Sequence, residues 1–270
     1  MILILFNFNY SDSYQLAPVC DSAIWTDAGK KDPKAEAAIR QFKTEFKRVI
    51  TLTEIMRQRG EDEQAQAFRR CLMNLRVNKA TQADYELLAT RRISPMDVDM
   101  QAQFVNAIRL KSQVEDVNQY NNFVNARLAA ATNKPLITIN SINMGEGANA
   151  KNAKFFSGLE QQLEICVGAR VMIISNLWTA AGLTNGAQGT VKHIVFRPGE
   201  AASYDQPQAI ILQMEESYRG PSLPGMDRCV VISPKAVHKK DRMGQDMTRI
   251  QFPIRPAAAC TIHKCQGNLI

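Results

Sequence analysis

Val167-Gly168-Ala169-Arg170-Val171-Met172-Ile173-Ile174, followed by Asn185-Gly186-Ala187-Gln188-Gly189-Thr190-Val191, is the stretch that decides the fold. Apolar runs at 171–174 and 190–196 flank an Asn-Gly pair. Asn-Gly is a strong hairpin signal because both central residues of the tight turn need positive φ. Further short apolar runs at 209–214 and 229–232 are punctuated by Gly182, Gly199 and Pro207. The spacing predicts a small antiparallel barrel or sandwich. Trp178 is either a plug for that barrel or a surface on which bases stack.

On the N-terminal side the texture is different. Residues 2–8 read as a continuous buried strand. Residues 34–48 place Ala38, Phe42 and Phe46 on one face of an amphipathic helix, and 49–52 is a short β-branched run. Residues 61–76 form a second helix with Ala65, Phe68, Leu72 and Leu75 on one face, and Thr81 with Asp84 opens a third through a capping box. A strand at 104–110, a helix at 115–131 and a strand at 136–142 continue the series. On the other side, 249–254 and 257–262 return to the same texture. Alternating β and α elements imply a parallel sheet covered by helices. The expected fold is therefore α/β with an inserted antiparallel β module. Its expected divisions are 1–48, then 49–154 with 250–270, and the module at 155–249.

The 270 residues are 45% hydrophobic, enough for a sizeable core, and 33 basic against 26 acidic residues give a net charge of +7. Seven basic and two acidic residues fall between Pro234 and Lys264, so most of that surplus sits in one segment. Such a patch suits a polyanion, although charge runs are also ordinary solvated loops. The six cysteines are scattered with no C-x-x-C pair, which fits free thiols in a reducing compartment. Cys260, His263 and Cys265 fall short of the four ligands a structural zinc site needs, so no metal is expected. No stretch is long and apolar enough to suggest a membrane span.

Three constellations carry possible chemistry. Thr261-Ile262-His263-Lys264-Cys265-Gln266-Gly267 concentrates hydrogen-bonding groups and charge around a glycine, as contacts to phosphate and sugar require. Ser11-Asp12-Ser13-Tyr14-Gln15 follows the first strand, where Gln15 is placed to touch a phosphate or water, although taken alone the same residues read as an ordinary loop with an Asp turn. Arg57 follows the 49–52 strand and is placed to stabilise phosphoryl charge, or simply to decorate a helix surface.

In sequence order, D-x-Y-Q-L-x-P-V, L-T-E-I-x-R-Q, V-G-A-R-V-M with N-G-x-x-G-x-V, and T-I-H-K-x-Q-G resemble the Pif-type, RecD-like superfamily-one DNA helicases. Ala107-Ile108-Arg109-Leu110 and Tyr120-Asn121 fall where that family has similar words. The resemblance implies two RecA-like domains that clamp ATP and Mg²⁺, translocate 5′ to 3′ along single-stranded DNA and unwind duplex or forked DNA. It implies that Gln15 senses the γ-phosphate and Arg57 contacts phosphate from the second domain. Thr261, His263 and Lys264 would line the DNA track, with Gln266 and Gly267 linking it to the nucleotide. It implies an intracellular setting, in nucleus or mitochondrion, and work in DNA repair, recombination or telomere maintenance.

The chain departs from that family at identifiable places. No G-x-x-x-x-G-K-[ST] occurs, no apolar strand ends in Asp-Glu, and Ser11 stands where the family has Gly. The expectation is a fragment whose fuel-holding half lies outside these residues, and which turns over no ATP alone. In such a fragment, residues before Val49 would be poorly ordered. A nucleic-acid-binding module without a motor, or a transposon or gene-model remnant, are the other readings.

Overall fold

The computed structural model describes residues 33–45, 54–55, 60–92, 98–102, 104, 107–197, 199 and 206–265. The expected strand at 2–8, the expected loss of order before Val49, the strand at 49–52, and Gln15, Arg57, Gln266 and Gly267 lie wholly or largely outside the described residues. The chain forms two units, Met1–Val105 and Asn106–Ile270.

The first unit contains α1 (Pro33–Glu45), α2 (Glu63–Arg76), α3 (Gln82–Ala89) and the short α4 (Val98–Ala102). Asp62 caps α2 by accepting from the Ala65 amide at 2.9 Å. Thr81 and Asp84 form the expected capping box at the start of α3. The Asp84 carboxylate does more than cap. It accepts from the Thr81 amide, the Thr81 hydroxyl and the Asn74 side chain on α2, each at 2.8 Å. Buried Cys71 of α2 also donates to the Asp84 carbonyl at 3.8 Å. One turn of α3 is thereby stitched to α2.

The second unit holds β1 (Arg109–Lys111), α5 (Val114–Thr132), β2 (Ile137–Asn140), β3 (Ile142–Met144), β4 (Gln162–Ile165), β5 (Arg170–Ile173), β6 (Gln188–Val195), β7 (Ala209–Met214), β8 (Cys229–Ile232), β9 (Lys235–Lys240), β10 (Asp246–Gln251), β11 (Ile254–Pro256), β12 (Ala259–Thr261) and α6 (Ile262–Cys265). β1 and β12 are parallel. The remaining ladders are antiparallel: β2 with β4, β3-β10-β9, and the five-stranded order β11-β5-β6-β7-β8. Alternation drives the last sheet, since Ile210, Leu212 and Met214 of β7 all point inward. Val171, Ile173, Val191, Ile210, Leu212 and Ile254 are completely buried there. Each such side chain contributes roughly 1.5–3 kcal/mol by leaving water.

The two halves of the deciding stretch are neighbours in this sheet. Arg170 pairs with Thr190, Val171 with Gly189 and Met172 with Gln188. A Cβ at Gly189 would lie 2.7 Å from the Gln213 carbonyl oxygen, so β6 and β7 approach only because that position is glycine.

Four expectations are revised. The β module is antiparallel, but β8 and β11 are the two edges of its sheet, and no ladder joins them into a barrel among the described residues. β11 instead runs directly into β12 of the parallel pair. Asn185-Gly186 is not a two-residue hairpin, because only Gly186 has positive φ, at 102°. The Ala187 amide reaches the Thr184 carbonyl across it at 3.0 Å, within a longer 174–187 loop, so the pair follows the type II pattern. The single strand expected at 136–142 is two, since the Ser141 amide bonds Gln161 and the chain then switches from β4 to β10 as partner. The 249–254 return to the parallel sheet does not occur: β10 pairs with β3 and β9, and only β12 reaches β1.

Folding lowers the Asp84 pKa, chiefly because the Thr81 amide donates to the carboxylate; Asn74 and the Thr81 hydroxyl add to this and burial opposes it. A lowered carboxyl stabilises the fold above its unfolded value of about 3.9, and that stabilisation vanishes as pH falls through the folded value. Thr81→Ala is expected to cost about 1 kcal/mol in denaturant unfolding. Asp84→Asn is expected to weaken the acid-dependent loss of stability seen in melts of the parent.

Candidate nucleic-acid interface

Parallel strands direct their carboxyl ends to one side, and ligands of α/β proteins gather there. β1 and β12 end side by side at Lys111 and Thr261, which are register partners. The Lys111 ammonium lies 5.6 Å from the centre of the Tyr120 ring. Beyond β12 the Thr261 hydroxyl accepts from the Lys264 amide at 3.3 Å and starts the single turn of α6. His263 on that turn is exposed. Lys264 is half-buried, and its Nζ donates to Asn185 Oδ1 at 2.6 Å. Thr261, His263 and Lys264 thus share one turn, and that turn is fastened to the 174–187 loop.

Burial lowers the Lys264 pKa first, and the neighbouring Arg255 guanidinium lowers it further, while Cys260 pulls the other way. An ammonium so placed gains from any anion brought to it. A cavity of about 60 Å³ lies between the first turn of α5 and β12, with Asn118, Arg255, Thr261 and Lys264 among its lining. It is far too small for a nucleotide.

α5 positions this turn. Acidic Glu115 and Asp116 suit its first turn, and left-handed Asn133 (φ 52°) ends it. Its buried residues Val117, Asn121, Asn125 and Ala129 recur every four positions, so two amides sit in an otherwise apolar stripe. Asn121 spends both arms on the chain entering β12. Its Oδ1 accepts from the Ala259 amide at 2.8 Å, and its Nδ2 donates to the Pro256 and Ala259 carbonyls at 3.2 and 3.3 Å. Asn125 donates to the Glu164 carbonyl of β4 at 2.8 Å. Sequence reasoning assigned no role to Asn121, Asn125 or Lys111. The signal for the first two was present, as an amide at every fourth position on a buried helix face demands a main-chain partner.

The basic segment is not one patch. Arg249 is fully buried: Nε donates to Asn143 Oδ1 at 2.7 Å, Nη1 to the Leu159 carbonyl at 3.1 Å, and Nη2 to the Ala148 and Lys151 carbonyls at 3.3 and 2.8 Å. Its guanidinium also lies 4.5 Å from the Phe156 ring centre. Arg255 pairs with Glu160 at 2.9 Å. Lys235, Lys239, Lys240 and Arg242 belong to the β9–β10 hairpin, in a different sheet from β12. Of that segment, Lys264 stands in the candidate interface, with Arg255 lining the cavity beside it. Among the described residues no three metal-ligating side chains come together, and no helix is long and apolar enough to cross a membrane.

No protein-family model matches the sequence. The chain is 31% identical over 137 residues to the ATP-dependent DNA helicase PIF7 of Trypanosoma brucei brucei, a match covering 45% of this chain and 14% of that one. Its fold is similar to the crystal structure of Pif1 helicase from Candida albicans, at 26% identity and a TM-score of 0.57, over 81% of this chain and 48% of that chain. It is also similar in fold to Bacteroides Pif1 bound to single-stranded DNA, at 20% identity and a TM-score of 0.52, over 82% and 44% of the two chains. The chain therefore spans under half the length of each of these three relatives.

Asn121→Leu keeps the volume of the stripe and strands three main-chain groups. The expected cost is about 2–4 kcal/mol in urea unfolding, against about 1–2 kcal/mol for Asn125→Leu, which strands one.

Proposed function

We propose that this distant relative of the Pif1 helicases holds single-stranded DNA across the carboxyl ends of β1 and β12, as part of an ATP-driven DNA helicase. One observation carries the reading: Lys111 and Thr261 end neighbouring parallel strands, and Lys264 stands one turn beyond. Lys264 and the Thr261 hydroxyl supply phosphate contacts, exposed His263 faces the track, and Lys111 adds a second cation. Gln266 and Gly267 link the track to the nucleotide in this reading. Residues 49–154 with 250–270 form a RecA-like domain in this reading, and 155–249 an inserted module that guides the strands. Gln15 and Arg57 act on the γ-phosphate of ATP, with Mg²⁺, in a complete motor that moves 5′ to 3′. The Bacteroides relative bound to single-stranded DNA supports the choice of ligand. The protein works on intracellular DNA, in nucleus or mitochondrion.

The ligand choice has a direct test. A labelled oligothymidylate should bind this chain with an affinity that falls steeply between roughly 50 and 200 mM salt. Lys264→Ala should weaken binding and reduce the slope of log affinity against log salt by about 0.7, the share of one phosphate contact on a single strand. Affinity independent of salt would overturn the assignment.

The chain holds no Walker A sequence to cradle phosphates. Alone, it should show no ATP turnover above background, with or without DNA, in a coupled phosphate-release assay. Robust turnover would refute the idea that the phosphate cradle lies elsewhere.

A further inference from the structure

Trp178 is left unexplained by the fold. It sits in the 174–187 loop between β5 and β6 and is 50% exposed, so it does not plug the sheet. Ala181, Leu183 and Ala187 of the same loop enter the core instead. The indole is held out on a rigid support. The Leu177 and Trp178 amides both donate to the Leu183 carbonyl, at 2.9 and 3.1 Å, and the Leu183 amide donates back to the Trp178 carbonyl at 3.0 Å. The Ala181 amide also bonds the Trp178 carbonyl, at 3.1 Å, and the Arg219 amide bonds the Ala181 carbonyl at 2.9 Å. Gly182, with φ of 85°, lies so close to the Ser217 carbonyl that a Cβ would come within 2.6 Å of it. An exposed aromatic ring on backbone saturated in this way loses little entropy when something stacks on it.

The same loop carries the acceptor for Lys264. Its rungs climb from Gly186 against Ile173, through the Asn185 amide on Asn176 Oδ1 at 2.9 Å, to the Trp178–Leu183 bridge. Trp178 therefore bridges Leu183, two residues before the Asn185 that anchors Lys264. A flat apolar ring on the loop that anchors a cation suits a ligand that alternates flat rings with negative charges. A single DNA strand has that chemistry, and stacking on it is tolerant of base identity.

We infer that Trp178 is a stacking platform for one base of a single DNA strand whose phosphate is held by Lys264. The inference rests on the strand-holding role proposed above and adds a contact to the base. Leu177, 37% exposed beside it, extends the apolar surface.

The full chain has two tryptophans, Trp25 and Trp178, so Trp25→Phe leaves Trp178 as the sole indole fluorophore. Titration with a short oligothymidylate should quench that fluorescence. An abasic strand of equal length should bind without quenching. Trp178→Ala should weaken oligothymidylate binding about tenfold, leave abasic binding unchanged, and leave the salt slope unchanged. Trp178→Phe should restore most of the loss. A merely structural tryptophan would weaken both strands alike, which would overturn the inference. Salt-dependent, Lys264-dependent binding with no quenching and no Trp178→Ala effect would also overturn it while sparing the strand-holding role. Failure of either strand to bind would overturn both.

Discussion

The side chain of Asn121 is the joint on which the candidate interface depends. One amide meets two carbonyls and one N–H of the segment that enters β12. Without it, β12 would have only the β1 ladder, three residue pairs long. A parallel pair that short is a weak register device. With α5 holding the segment, Thr261 falls opposite Lys111, and the α6 turn leaves the strand at a defined point. The chemistry of the turn is thus set from a helix far away in sequence.

A second polar group organises the adjacent layer. Arg249 is placed by β10 alternation among inward residues, where an aliphatic side chain would be expected. Its charge is tolerated because each of its nitrogens has an acceptor and a ring lies beneath. Burial lowers its pKa while Glu160 opposes that, and an arginine keeps its proton under such conditions. The Glu160 carboxylate meanwhile holds Arg255 on β11. The charges that looked like a surface patch in the sequence are partly the internal fastenings of this unit.

What could be read in advance followed from periodicity. β7 and β8 have the expected bounds because each is a compact apolar run with polar or turn residues on either side. The capping box at Thr81 was legible since its partners are three residues apart. β4 and β9 were missed: Gln162-Leu163-Glu164-Ile165 is short, and Lys235–Lys240 carries too much charge to register as a strand. Both exist because a neighbour supplies a ladder, which a local window does not contain. The interface followed the same division. Thr261, His263 and Lys264 stood out as a local cluster, whereas Asn121 and Ala259 are 138 residues apart and Lys264 and Asn185 are 79 apart. Pairings over such separations are decided by topology. The Asn-Gly pair shows the opposite error, a correct turn signal assigned to too small a loop.

Three of the four acceptors of Arg249 are main-chain carbonyls, at Ala148, Lys151 and Leu159. A carbonyl looks the same whatever residue bears it. Lys151 is half-exposed, so at that position the guanidinium secures the path of the loop without reading its side chain. At such a position the outward side chain can therefore change over evolutionary time while the architecture persists. Two proteins could share this corner of the fold and have little in common when their letters are aligned.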